Sequence, residues 1–271
     1  MGQKYRFGVL GAGNMGMAIA EGAVRAQYYN PTEILLFNRS EEKRAANQKK
    51  GFAVTDDYTV VYRQCETVLL AVKPQNMAEI LPVLSECRPS SAPLILSIAA
   101  GVPFARLETA LGNNTPIIRI MPNTPLLLGM GATQLVKNTV VTEEQLASVR
   151  QLFDTMGVTV VFDDENMLNE AIPYAGSAPA YLYAFADAMV QSAQEHSLQP
   201  EDALQLFCQT MIGSAHMLLQ GDKTPAELIR AVCSPGGATL AGMKVLEEQH
   251  FYQTIRDMCD KCIERTYELG K

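Results

Sequence analysis

The most constraining feature of this chain is an alternation that stops part-way along. Short apolar runs at Arg6–Leu10, Glu33–Phe37, Thr67–Val72, Leu94–Ile98, Ile117–Ile120, Ala132–Val136 and Val158–Phe162 are separated by helix-forming stretches. Runs that are apolar at nearly every position, rather than at every second one, suit strands buried on both faces. Such strands belong to a mostly parallel sheet with helices above and below. The pattern predicts a Rossmann-type, doubly wound α/β domain over residues 1–162. From Asp163 the strand signals end, and residues 163–271 are predicted to be an all-helical domain. Pro200 opens one helix there, and Thr224-Pro225-Ala226-Glu227 joins an N-cap, a first-turn proline and a capping-box glutamate. Leu182, Phe185, Met189 and Ala193 share one helical face, as do Leu204, Phe207, Met211 and Ala215. These faces read as ordinary helix core. The alternative is a subunit interface, because about 110 helical residues make a thin core alone.

Composition removes several function classes. Of 271 residues, 48% are hydrophobic and 19% charged, which argues against extended disorder. A net charge of −7 disfavours a nucleic-acid or anionic-membrane surface, while leaving room for one local basic pocket. No apolar run nears the roughly 20 residues of a membrane helix. Gly2 is followed by Arg6 where myristoylation wants Ser or Thr. The first apolar stretch runs straight into glycines, so no export signal is expected. The six cysteines are scattered, and a cytoplasmic protein that keeps them reduced is expected. Cys259-x-x-Cys262 has no second pair and no histidine nearby, so no metal is expected.

Gly11-Ala12-Gly13-Asn14-Met15-Gly16 fits the dinucleotide fingerprint G-x-G-x-x-G, with a strand leading in and a helix leading out. Gly11 permits the tight turn, Gly13 lets backbone approach a pyrophosphate, and Gly16 allows helix and strand to pack closely. The helix start at Asn14 and Met15 supplies N–H donors. About 20 residues on, where an NAD site usually carries Asp or Glu, the chain reads Asn38-Arg39-Ser40. No carboxylate there repels a 2′-phosphate, and Arg39 can bind one with a charge-assisted fork. NADP is therefore expected over NAD; the bland alternative is that Arg39 is a solvated surface charge. Two more loops follow strand ends, Ala71-Val72-Lys73-Pro74 and Ala99-Ala100-Gly101, where open α/β sheets hold ligands. Their small residues suit a nicotinamide ring, and Lys73 could meet a phosphate or a substrate carboxylate.

Ser234-Pro235-Gly236-Gly237-Ala238-Thr239 interrupts two helical segments and leaves N–H groups open at a helix start. On spacing alone this is either an anion seat or a plain helix–helix turn. With its surroundings, it resembles the signature segment of pyrroline-5-carboxylate reductases. The likeness runs through Gly11–Gly16, Ala71–Gln75, Ser97–Gly101, Arg119-Ile120-Met121-Pro122-Asn123-Thr124-Pro125 and Gly176–Tyr181, nearly the whole chain. The resemblance implies reduction of 1-pyrroline-5-carboxylate to L-proline with NAD(P)H, a Rossmann domain followed by a helical dimerisation domain, and dimers that often assemble into decamers. It further implies that Ser234, Gly236, Gly237 and Ala238 seat the substrate carboxylate and that the Thr239 hydroxyl faces the ring nitrogen. Glu165 matches a family acid near the substrate, or else is a solvated glutamate at a helix start.

The chain departs from the family where Ala175 loses a hydroxyl, Ala178 adds a methyl, and Ile172-Pro173 replaces a frequent threonine. Two alternatives follow. One is a β-hydroxyacid dehydrogenase or another imine reductase, although these usually need a lysine early in the second domain, and none occurs between Asp163 and Met217. The other is a catalytically weak nucleotide-binding paralogue, which the changes at Ala175 and Ala178 favour. His196, His216 and His250 all fall in helical contexts, away from these motifs.

Overall fold

The computed structural model describes residues 4–269, without the side chain of Leu269; Gly2 lies outside the described residues. The chain divides into two compact units. The first holds the described residues up to Ser177 together with those from Cys262 on, and the second is Ala178–Lys261.

In the first unit, the described strands are β1 (Tyr5–Leu10), β2 (Ile34–Phe37), β3 (Ala53–Thr55), β4 (Cys65–Leu70), β5 (Leu94–Ser97), β6 (Ile117–Met121), β7 (Gly131–Lys137) and β8 (Gly157–Phe162). They form one sheet in the order β3-β2-β1-β4-β5-β6-β7-β8. Every pairing is parallel except that of β6 with β7, so the expected mostly parallel, doubly wound sheet is present. Between β1 and β4 the strand order reverses, which opens a crevice at their C-terminal ends. Strand alternation sends neighbouring side chains to opposite faces. Val9, Leu36 and Leu69 enter one core cluster, and Leu10, Leu35 and Leu70 enter the other. Helices α1 (Asn14–Arg25) and, further on, residues 143–154 cover the first face; α2 (Glu41–Lys49) flanks the sheet edge. Helices α3 (Tyr58–Gln64), α4 (Pro74–Glu86) and α5 (Phe104–Leu111) cover the second. The helix at 143–154 is α6 (Glu143–Asp154), and the short α7 (Met167–Glu170) follows β8.

β3 is absent from the sequence reading because it has only three residues, too short a run to stand out as a strand. The change of composition at Phe162/Asp163 comes earlier than the division between units. The intervening segment has no run of strand formers, yet its Leu168 and Ile172 are buried with Met121 and Val136 of the sheet.

The second unit holds α8 (Ala178–Glu195), α9 (Pro200–Gln220), α10 (Pro225–Val232), α11 (Ala238–Glu248) and the start of α12 (Phe251–Leu269). The capping box at Thr224 and Glu227 is formed. Phe185 meets Phe207 edge-on at 5.2 Å, joining α8 to α9. The reading of these helical faces as ordinary core needs correction. Leu182 is 52% and Leu204 45% exposed, Phe185 and Met189 are exposed too, and only Ala193 of the α8 face is buried. The apolar faces of this unit stay open in the single chain. No helix among the described residues is long and apolar enough to cross a membrane.

Candidate active site

The glycine turn is built by sterics. Gly11 has φ +98°, and a Cβ there would sit 2.8 Å from the Ala71 carbonyl oxygen. A Cβ on Gly16 would lie 2.5 Å from the Gly11 oxygen and 3.1 Å from Val9 and Ala71 carbons. These two glycines let α1 press against β1 and β4. Gly13 differs, because a Cβ there would meet nothing within 4 Å. Behind that open space, α1 begins with no side-chain cap and no acidic residue in its first turn. Its first N–H groups are therefore unpaired donors at the positive end of the helix dipole, a seat for a pyrophosphate. The residues present thus fit a dinucleotide.

The next loop is fastened to the glycine turn by buried Asn38. Its Nδ2 donates to the Ala12 carbonyl at 3.1 Å, and its Oδ1 accepts from Asn47 Nδ2 at 2.9 Å. Arg44 donates to the carbonyls of Asn38 and Arg39 at 2.9 and 2.8 Å, so it shapes this loop from beneath. Ser40 caps α2 by accepting from the Lys43 N–H, and its own hydroxyl hydrogen remains to donate. Arg39 is 72% exposed, and its one ion-pair partner among the described residues is exposed Glu79 at 3.7 Å. An ion pair so exposed is weak and yields readily to a doubly charged phosphate. Ala71, Val72, Lys73 and Pro74 leave the end of β4, and Ala99, Ala100 and Gly101 leave β5, so all four predicted loops line one edge of the sheet. Lys73 is exposed, with no ion pair among the described residues.

The other predicted segment belongs to the second unit. Gly237 N–H closes a turn on the Ser234 carbonyl at 3.0 Å, Gly236 has φ +73°, and a Cβ on Gly237 would sit 2.4 Å from Ser234 Oγ. Gly237 precedes α11, which has no side-chain cap and no acid in its first turn. Ala238 and Thr239 are exposed there, and the Thr239 hydroxyl has no hydrogen-bond partner among the described residues. The loop therefore offers N–H donors and one hydroxyl together.

Glu165 stands elsewhere. It lies in the first unit, where its Oε1 accepts from Arg119 at 2.5 Å and from the Phe104 N–H at 2.6 Å. A solvated helix-start glutamate is therefore the wrong description. Sequence reasoning also missed Asn123, whose amide donates to the Ala175 carbonyl and accepts from the Ala132 N–H. That clasp explains an asparagine inside Met121-Pro122-Asn123-Thr124-Pro125. Ala175 itself is buried beneath it. Among the described residues, no group of three His, Cys, Asp or Glu side chains is placed to hold a metal ion.

Residues 165–269 match the family model described as pyrroline-5-carboxylate reductase dimerisation, and residues 6–101 match NADP oxidoreductase, coenzyme F420-dependent. The pyrroline-5-carboxylate reductase of Escherichia coli is 34% identical over 267 residues, covering 98% of each chain. The chain belongs to the pyrroline-5-carboxylate reductase family. The Aquifex aeolicus member is 33% identical over 98% of this chain and 96% of its own. Among solved structures, the Plasmodium falciparum pyrroline carboxylate reductase with NADP bound superposes with a TM-score of 0.90 at 25% identity, covering all of both chains. A Coxiella burnetii pyrroline-5-carboxylate reductase gives 0.89 at 30% identity, over 98% of this chain and 99% of that one.

Proposed function

We propose that this member of the pyrroline-5-carboxylate reductase family reduces 1-pyrroline-5-carboxylate to L-proline, the last step of proline biosynthesis, preferring NADPH to NADH. The observation that carries the reading is the coexistence, in one chain of this family, of an open glycine cradle and a second loop presenting N–H donors beside a threonine hydroxyl without a partner among the described residues.

Bound NADPH supplies a hydride to the imine carbon. The chain's own residues bind, orient and hold. The N–H groups at Asn14, Met15 and Gly16 take the pyrophosphate, and Arg39 with Ser40 takes the 2′-phosphate. The small residues of Ala99–Gly101 let a flat ring lie against backbone. In the second unit, Ser234, Gly236, Gly237 and Ala238 receive the substrate carboxylate, and Thr239 Oγ1 accepts from the N–H of the protonated imine. Fixing that nitrogen fixes which face of the ring is offered, and such positioning supplies much of the acceleration. Among the described residues no His–carboxylate hydrogen bond is formed, and the reading takes the proton from water or with the imine.

The reading includes a homodimer joined through the open apolar faces of α8 and α9, and a cytoplasmic location. A solution mass of about twice 29.6 kDa supports the dimer; about ten times that value extends it to a decamer. The test is NADPH oxidation driven by pyrroline-5-carboxylate, with L-proline identified as product. Thr239→Ala is expected to lower turnover several-fold while leaving NADPH binding intact. Nucleotide binding without turnover in the parent protein would refute the activity and favour a non-catalytic paralogue.

A further inference from the structure

Three separate stretches of the first unit meet at one carboxylate oxygen. Glu165 Oε1 accepts the Phe104 N–H at 2.6 Å and an Arg119 N–H at 2.5 Å. Arg119 lies within β6, its side chain is 4% exposed, and Glu165 is its one hydrogen-bond partner among the described residues. Phe104 opens α5, a short step past Gly101, whose φ of +72° marks the bend of the loop leaving β5. One carboxylate thus ties that loop to β6 and to the turn ahead of α7. A cavity of about 250 Å³ lies alongside, lined by Gly101, Pro103, Arg119, Asn166 and Tyr267 among others. On that side the loop borders open space, and the Glu165 bond limits its movement.

We propose that Glu165 is a positioning residue. Through the Phe104 N–H and Arg119 it holds Ala99–Gly101 in the shape that receives the nicotinamide end of the nucleotide, and it does not touch the cyclic imine acid. This deepens the function proposed above and rests on it for the identity of the two ligands. The chemistry favours it. Glu165 Oε1 already accepts two hydrogen bonds, both from groups of the protein itself. A guanidinium buried this deeply needs its counter-ion in place.

The experiment uses the full chain and measures NADPH affinity by nucleotide fluorescence without substrate, then KM for pyrroline-5-carboxylate at saturating NADPH. Glu165→Gln keeps an acceptor for Phe104 but strands the charge of Arg119. If the loop then holds its binding shape about a tenth of the time, the Kd for NADPH rises about tenfold. KM for the imine acid stays within about twofold, as expected when its own contacts are untouched. Adding Arg119→Gln removes the stranded charge and recovers most of the lost affinity. Should Glu165→Gln fail to fold, Glu165→Asp keeps the counter-ion but is too short to reach both partners, and a several-fold rise in Kd is expected. Unchanged NADPH affinity in the folded Glu165 variants, or a KM increase for the imine acid with Kd constant, overturns the proposal. A parent protein that binds NADPH without reducing the imine acid sinks the function instead and leaves this test standing.

Discussion

Gly13 and Gly16 share a motif but answer to different partners, and replacing each with alanine separates nucleotide contact from packing. At Gly16 the new methyl would stand 2.5 Å from the Gly11 carbonyl oxygen and 3.1 Å from Val9 and Ala71 carbons, with backbone among the obstacles. Overpacking of that kind costs about 1–3 kcal/mol. For a domain of this size that is roughly a 2–10 °C fall in Tm. At Gly13 the methyl enters empty space, and φ −86°, ψ −163° is backbone that alanine adopts without strain. Gly13→Ala should therefore match the parent or gain about 0.4–1 kcal/mol, by restricting the unfolded chain. Nucleotide changes the ranking. NADPH at a hundred times its Kd stabilises the parent by about 2.7 kcal/mol, and a tenfold weaker site keeps only about 1.4 kcal/mol. Thermal melts of the three proteins with and without NADPH check this. A Gly13→Ala protein that melts as low as Gly16→Ala without ligand, or retains the full NADPH shift, would refute the assignment of that empty space to a pyrophosphate.

Arg39→Ala should cut NADPH affinity by about tenfold or more while leaving NADH nearly unchanged, since only the 2′-phosphate contact is lost; equal losses for both nucleotides would contradict that role. If α9 forms the proposed interface, Leu206→Asp, on one of its exposed apolar positions, should lower the solution mass towards 29.6 kDa without unfolding the chain, as light scattering and circular dichroism would reveal. Burial pushes the Cys65 thiol up from 9.0 to about 12, and burial likewise raises Tyr62 from 10.0 to about 12. Both groups are neutral when protonated, so the unfolded chain releases their protons first; stability is full below pH 9 and declines from there towards pH 12. Denaturant midpoints across that range test the sign, and Cys65→Ala should start the decline closer to pH 10, where tyrosine titration begins.

The sheet was legible because its strands are buried on both faces, which writes them as unbroken apolar runs. Direction was not legible: Ala132–Val136 looks the same whether it runs with β6 or against it, and only tertiary pairing decides. The glycine motif announced its turn because Gly11 and Gly16 answer to local sterics. Asn38, Asn47 and Asn123 were harder, since a polar side chain in isolation does not name its partner across 26, 9 or 52 residues. Asn47 did leave a trace, as a weak helix former in the last turn of α2. Arg44 was not legible as a shaper of the Asn38–Ser40 loop, because its guanidinium turns to two backbone carbonyls, which no spacing reveals. The faces of α8 and α9 had the right period, but period cannot say whether a neighbour comes from the same chain.

Because β7 runs against β6, a single 3₁₀ turn at Thr124–Leu128 suffices to join them, whereas a parallel step requires a crossover, usually a helix. No crossover helix joins β6 to β7, and Ala132, Gln134 and Val160 border a cavity of about 460 Å³ that Met167, Tyr174 and Ala175 line from the segment after β8. The reversal divides the sheet into a parallel part, whose β1, β2, β4 and β5 carry the four predicted loops at their C-terminal ends, and the pair β7 and β8, which carries none of them. A substitution confined to β8 therefore lies on a strand that ends in none of those loops.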